Sequence, residues 1–179
     1  MNSRTNLIKF QILSTIFEII LGTILHFTYT LSKNNSLVGL FSAVNESTWE
    51  HLKLLFFPML ITTTIGYFIF KDTFPNFLYS KTIGIIAAIL FTVIFFYTYT
   101  GIIGTNYAFI NILTFILAVI IGEYVAYILT INNFIFNKIF CIAILILVTV
   151  SFFIFTFNPP KIKLFKDPIT GSFGIQKNS

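Results

Sequence analysis

The sequence predicts an all-α fold, a polytopic bundle of five transmembrane helices with a re-entrant or interfacial segment in the first loop. Charged side chains make up 9% of the chain and hydrophobic ones 56%, whereas a soluble domain carries about 25% charged residues. Too little polar surface is present to cover a fold in water. Mean hydropathy is +0.91, and five mostly apolar runs recur, each close to the roughly 20 residues an α-helix needs to cross a hydrocarbon core of about 30 Å.

The first run, FQILSTIFEIILGTILHFTYTL at 10–31, follows Arg4 and Lys9 and contains Glu18 and His26. A signal peptide has a shorter apolar core and a small-residue cleavage site, so this run reads as a permanent first helix. The second occupies 52–70, the third 82–100, the fourth 107–129 and the fifth 139–157. Loops are marked by SKNN, KDTFPN, GTN and INN, and FNPPK stops the last helix. The octet LVGLFSAV in the first loop is too short to span, which suits a segment that re-enters or lies on the surface. The chain thus divides into one transmembrane domain over 1–157 and a polar Pro- and Gly-containing tail over 158–179.

The formal net charge of +5 does not point to nucleic acid. Basic residues are scattered through short loops with no basic helix or aromatic-basic platform, so the lipid bilayer is the partner they suit. Five crossings place the termini on opposite faces. The face of the N-terminus receives Arg4, Lys9, Lys71, Lys81 and Lys138, and the other receives Lys33, Lys53, Lys161, Lys163 and Lys166. The positive-inside rule is therefore tied, and only the weight of the first helix favours a cytoplasmic N-terminus. The location expected is the cell membrane, and a homo-oligomer is compatible with so small a bundle. Cys141, the only cysteine, lies within an apolar run and reads as packing.

Ionisable residues cluster in SAVNESTWEHLK, where the second helix begins. Ser47 to Glu50 has the form of a capping box, in which the Ser47 hydroxyl accepts from the Glu50 amide and the Glu50 carboxylate reaches back to the Ser47 amide. Trp49 fits an interfacial anchor, and Lys53 a side chain that snorkels to water. Neither role accounts for Glu46 or His51. The topology brings His26, late in the first helix, to the same face, so His26, Glu46, Glu50 and His51 are the candidate catalytic residues and His26, Glu46 and His51 the candidate ligands of a divalent metal. No HExxH or CxxC motif is present.

A second group lies deeper. Glu18 and Glu123 share a depth near the middle of their helices, and a carboxylate in that position is costly enough to suggest proton, ion or ligand contact. Structural hydrogen bonding to a neighbouring helix is the plainer alternative. These features leave three functional readings open: a membrane enzyme with a metal or acid-base site, a small proton- or ion-coupled transporter using Glu18 and Glu123, and a noncatalytic scaffold.

NESTWEHLKLLFFP, with HFTY upstream and PPKIKLFKDPITGSFG at the tail, resembles a family of small bacterial multi-pass membrane proteins of unknown function. The likeness covers nearly the whole chain. It implies a helical membrane fold and carries over no activity.

Overall fold

Each of the five apolar runs forms a long helix, and most begin or end beyond the run itself. The computed structural model describes residues 3–132 and 137–175; Asn133, the last residue of the INN loop, lies outside them. In chain order the helices are α1 (Ser3–Leu31), the one-turn α2 (Ser36–Gly39), α3 (Thr48–Phe70), α4 (Phe77–Ile103), α5 (Ala108–Ile131) and α6 (Lys138–Phe157), followed by a 3-10 turn at Lys163–Phe165. By length and hydropathy α1, α3, α4, α5 and α6 can each cross a bilayer. The chain is therefore an all-helical, multi-pass membrane protein.

Helix α3 forms the centre of the bundle. Sixty-one per cent of its apolar window is buried, against 22% to 33% in the other four spans. Those four turn isoleucine stripes outward: Ile12, Ile16, Ile20 and Ile24 on α1, and Ile142, Ile146 and Ile154 on α6. A soluble protein does not expose so continuous an apolar surface. In lipid it is the matching solvent face, and the helices satisfy their own backbone hydrogen bonds.

Small residues set the helix spacings. Pro58 lies inside α3 and has no N–H to donate, which leaves the Leu54 carbonyl without its usual intrahelical partner. Gly22 of α1 packs directly on that carbonyl, and a Cβ there would also meet the Phe115 ring at 2.6 Å. Glycine allows α1 to reach the freed oxygen. Between α4 and α5, Gly84 and Gly122 stand back to back, each leaving no room for a Cβ beside the other's carbonyl. Such close approach is how helices gain van der Waals contact in lipid.

The first loop is short of a span, and its octet folds as α2 followed by bends. Leu37 and Phe41 face outward, whereas Gly39, Ser42 and Ala43 are buried against the bundle. The tail folds back over the same end. Ile175 N–H donates to the Thr156 carbonyl at 3.1 Å, and Lys166 bridges Phe173.

Two lysines depart from their expected positions. Lys53 does not snorkel to water, and Lys81 is not a loop residue; both are 0% exposed. Helix α4 begins at Phe77, so Lys81 falls within its second turn. Each ammonium is held inside by carboxylates, which supply the Coulombic and hydrogen-bond compensation a buried cation requires. With both removed from the surface count, Arg4, Lys9, Lys71 and Lys138 face Lys33, Lys161, Lys163 and Lys166, and the positive-charge tie persists.

Candidate metal centre at one end of the bundle

Three elements place ionisable side chains together where α1 ends and α3 begins. His26 comes from the last turns of α1, Glu46 from the loop before α3, and His51 from the first turn of α3. One ligand atom from each lies within 4.8 Å of the others. Glu46 stands between the histidines, with Oε2 3.4 Å from His51 Nε2 and Oε1 4.0 Å from His26 Nε2. The two imidazole rings are 5.2 Å apart, tilted by 40°. All three side chains are partly exposed, between 30% and 44%.

The backbone of α3 fixes the orientation of His51. Its Nδ1 lies 2.9 Å from the Ser47 carbonyl, an oxygen that can only accept. Nδ1 therefore carries the hydrogen, and a neutral ring presents the lone pair of Nε2 toward the Glu46 carboxylate. Lone pairs facing each other at 3.4 Å are compensated only by a positive centre between them, either a proton on Nε2 or a cation. His26 Nδ1 is buried without a hydrogen-bond partner among the described residues.

The loop carrying Glu46 is tied at four points. Ser42 Oγ donates to the Leu25 carbonyl at 2.5 Å and accepts from the Tyr29 N–H at 3.0 Å, which fastens the loop to α1. Glu50 Oε2 accepts from the Val44 N–H at 3.1 Å, and Lys53 Nζ donates to the Gly39 carbonyl at 2.7 Å, which fastens it to α3. Asn45 Nδ2 donates to the Gly174 carbonyl at 3.1 Å, joining it to the tail. Lys53 also reaches Thr156 of α6 at 3.0 Å.

Only half of the expected capping box forms. Ser47 Oγ accepts from the Glu50 N–H at 3.4 Å, but the Ser47 N–H goes to Asn45 Oδ1 at 2.9 Å. The Glu50 carboxylate turns inward to Lys53, 2.5 Å away, and is buried. Trp49 packs on Phe152 and Phe155 of α6 and on Phe165 of the tail.

Two cavities meet at Glu46 and His51. One, of about 190 Å³, is bounded by Thr48, Thr92, Asn111 and Thr114 together with Pro168 and Ile169 of the tail. The other, of about 270 Å³, runs past His26 between α1 and α5 to Gly22, Leu54 and Phe115. Its polar end holds His26, Glu46, His51 and Asn111, and its remainder is largely apolar. Phe27 and Ile112 on its rim are 56% and 60% exposed on the lipid-facing side.

The deeper carboxylates occupy a separate site. Glu123 pairs with Lys81 Nζ, Glu18 Oε1 lies 3.6 Å from the same ammonium, and the Thr62 hydroxyl donates to Glu18. The sequence reading placed Glu18 and Glu123 at one depth but missed the lysine that joins them. The Thr62 hydroxyl of α3 is the neighbouring-helix hydrogen bond that the structural reading of Glu18 allows.

Five candidate spans and a polar cluster at one end define an integral membrane protein of helical-bundle type. The chain belongs to the Family of unknown function (DUF6512), whose model matches residues 1–175. No curated protein and no solved structure matches it.

Proposed function

We propose that His26, Glu46 and His51 bind a divalent metal, zinc by preference, and that the protein is a membrane hydrolase whose metal-bound water attacks an amphipathic substrate. The convergence of three ligand atoms beside two cavities carries this reading. Two imidazoles and one carboxylate, with the fourth position left to water, is a ligand set that zinc hydrolases use. With metal–ligand distances of about 2.0 to 2.1 Å, tetrahedral ligands stand about 3.4 Å apart. Glu46 and His51 are at that spacing, and His26 needs to close by roughly an ångström more. The lone-pair conflict at His51 Nε2 is relieved by a cation in the same place.

The cavity past His26 suggests the substrate. Its polar end would take a headgroup or a carbonyl, while Leu54, Ile112 and Phe115 suit an acyl chain arriving from the bilayer. A zinc held by His26, Glu46 and His51 would supply an activated water able to hydrolyse an ester whose carbonyl sits at that polar end. Glu50, read from the sequence as catalytic, serves here as a positioning residue through the Val44 amide and Lys53.

Metal analysis of protein reconstituted with zinc in lipid nanodiscs tests the reading. About one zinc per chain is expected, with loss in His26→Ala and His51→Ala at unchanged helicity and slow turnover of a fatty-acyl ester by the loaded wild type only. Wild-type protein that takes up no more zinc than the double alanine variant would refute it.

A further inference from the structure

The centre of the bundle holds a second polar site, unrelated to the proposed metal. Glu18 of α1, Lys81 of α4 and Glu123 of α5 meet there, with side-chain exposures of 0%, 0% and 4%. Two carboxylates and one ammonium leave one negative charge uncompensated if all are ionised. At this depth an unbalanced charge costs several kcal/mol. Thr62 contributes a hydroxyl from α3 and no charge.

Among the described residues, the ion pairs of Glu18 and Glu123 are with Lys81 alone. From α6, Cys141 lies against Thr82, and Lys138 sits over the Tyr67 ring. Arg4 Nε donates to the Tyr127 hydroxyl at 3.2 Å, at the end of the bundle where the chain begins. Because the Lys81 ammonium already lies against both carboxylates, the smallest cation that completes the balance is a proton.

A groove of about 280 Å³ between α1 and α5 reaches Glu123 and is lined by Gln11, Thr15, Tyr124 and Tyr127 together with Ile8, Ile12 and Ile120. Gln11 is 6% exposed, and among the described residues its amide oxygen and nitrogen, like Glu123 Oε2, have no hydrogen-bond partner. An unpartnered amide and an unpartnered carboxylate oxygen buried beside one groove suit water that enters from it and carries a proton to the cluster. Toward the opposite face, Gly22 packs on Leu54 and Phe115 at the end of the cavity beneath His26.

We propose that Glu18, Lys81 and Glu123 hold one exchangeable proton at mid-bundle, loaded and released through the Gln11 groove from the side of the N-terminus. Infrared spectroscopy of the full chain in nanodiscs tests this. The wild type should show a protonated-carboxyl carbonyl band at neutral pH that shifts in D2O, that is lost in Glu18→Gln or Glu123→Gln, and that survives Asp72→Asn, a change at an exposed loop carboxylate. Gln11→Leu should slow the D2O shift. If the Gln variants do not fold, Glu18→Asp and Glu123→Asp should move the band. Absence of the band in the wild type, a band that never exchanges, or one displaced by sodium at constant pH would each overturn the proposal.

Discussion

Lys53 Nζ lies 2.5 Å from Glu50 Oε2 with both side chains almost wholly buried, and between them they hold the Gly39 carbonyl and the Val44 amide. The ion pair joins the first loop to α3, and Glu46 lies on that loop. Its worth is therefore positional as well as energetic.

Breaking this pair on one side leaves a charge without its counterion. Lys53→Met or Glu50→Gln should each destabilise the protein by about 3 to 5 kcal/mol, whereas Glu50→Leu combined with Lys53→Met should cost less than either alone. Unfolding by SDS titration in mixed micelles measures all three. The double variant should still bind zinc poorly, because the loop tether is lost although no charge is stranded. A double variant with undiminished zinc uptake would show that the pair does not position Glu46.

Protons and metal compete for the same ligand atoms in the His26, Glu46 and His51 cluster. Zinc affinity should accordingly fall as the medium is taken from about pH 8 to about pH 5, where imidazole gains its second proton. Glu46→Gln keeps the size of the side chain but removes its charge, so it should weaken binding throughout that range. Titration with a competing chelator at several pH values gives both results, and an affinity indifferent to pH would argue against histidine ligation.

The two polar sites differ in how far local sequence reveals them. Helix count follows from the apolar runs, because backbone satisfaction in lipid leaves no other structure for them. His26, Glu46 and His51 fall on one face once the crossings are counted, and the structure brings them together. Lys53 and Lys81 could not be placed in the same way. A lysine near a helix end ordinarily extends to water, and nothing in its own neighbourhood reports a carboxylate on another helix. Lys53 did offer a local signal, since Glu50 precedes it by three residues on one helical face. Lys81 offered none, and its partners come from α1 and α5. Setting the start of the third apolar run at Thr82 rather than Phe77 concealed it further.

Gly84 and Gly122 govern whether Lys81 can reach Glu123. They lie one turn beyond Lys81 and immediately before Glu123, where the α4 and α5 backbones pack directly on each other. A Cβ at Gly122 would stand 2.8 Å from the Gly84 carbonyl and 2.8 Å from Met59 Cε. Since one obstacle is backbone, the helices have to separate, and Gly122→Ala should cost about 1 to 3 kcal/mol. Gly101→Ala, where nothing lies within 4 Å, is the matched control and should be neutral or slightly stabilising. SDS titration again ranks the two.

The tail lines one of the two cavities at the histidine site through Pro168 and Ile169, and Gly174 packs it against the end of α6. Its φ of +62° belongs to the left-handed region, and a Cβ there would come within 2.7 Å of the Thr156 carbonyl and 2.9 Å of Pro159 Cδ. Both the strain and the clash fall on the residue whose carbonyl accepts from Asn45, next to Ile175, whose N–H donates to the Thr156 carbonyl on the last turn of α6. A non-glycine residue in this conformation costs about 1 to 3 kcal/mol, enough to release a short strap without unfolding a bundle whose helices are held elsewhere. Lys161, Lys163 and Lys166 are already exposed, so Gly174→Val should leave the SDS midpoint nearly unchanged while loosening the folded tail enough for trypsin to cleave there faster. Faster tail cleavage with the helical core intact is the expected pattern, and equal cleavage rates in variant and wild type would mean that the tail is not latched at Gly174.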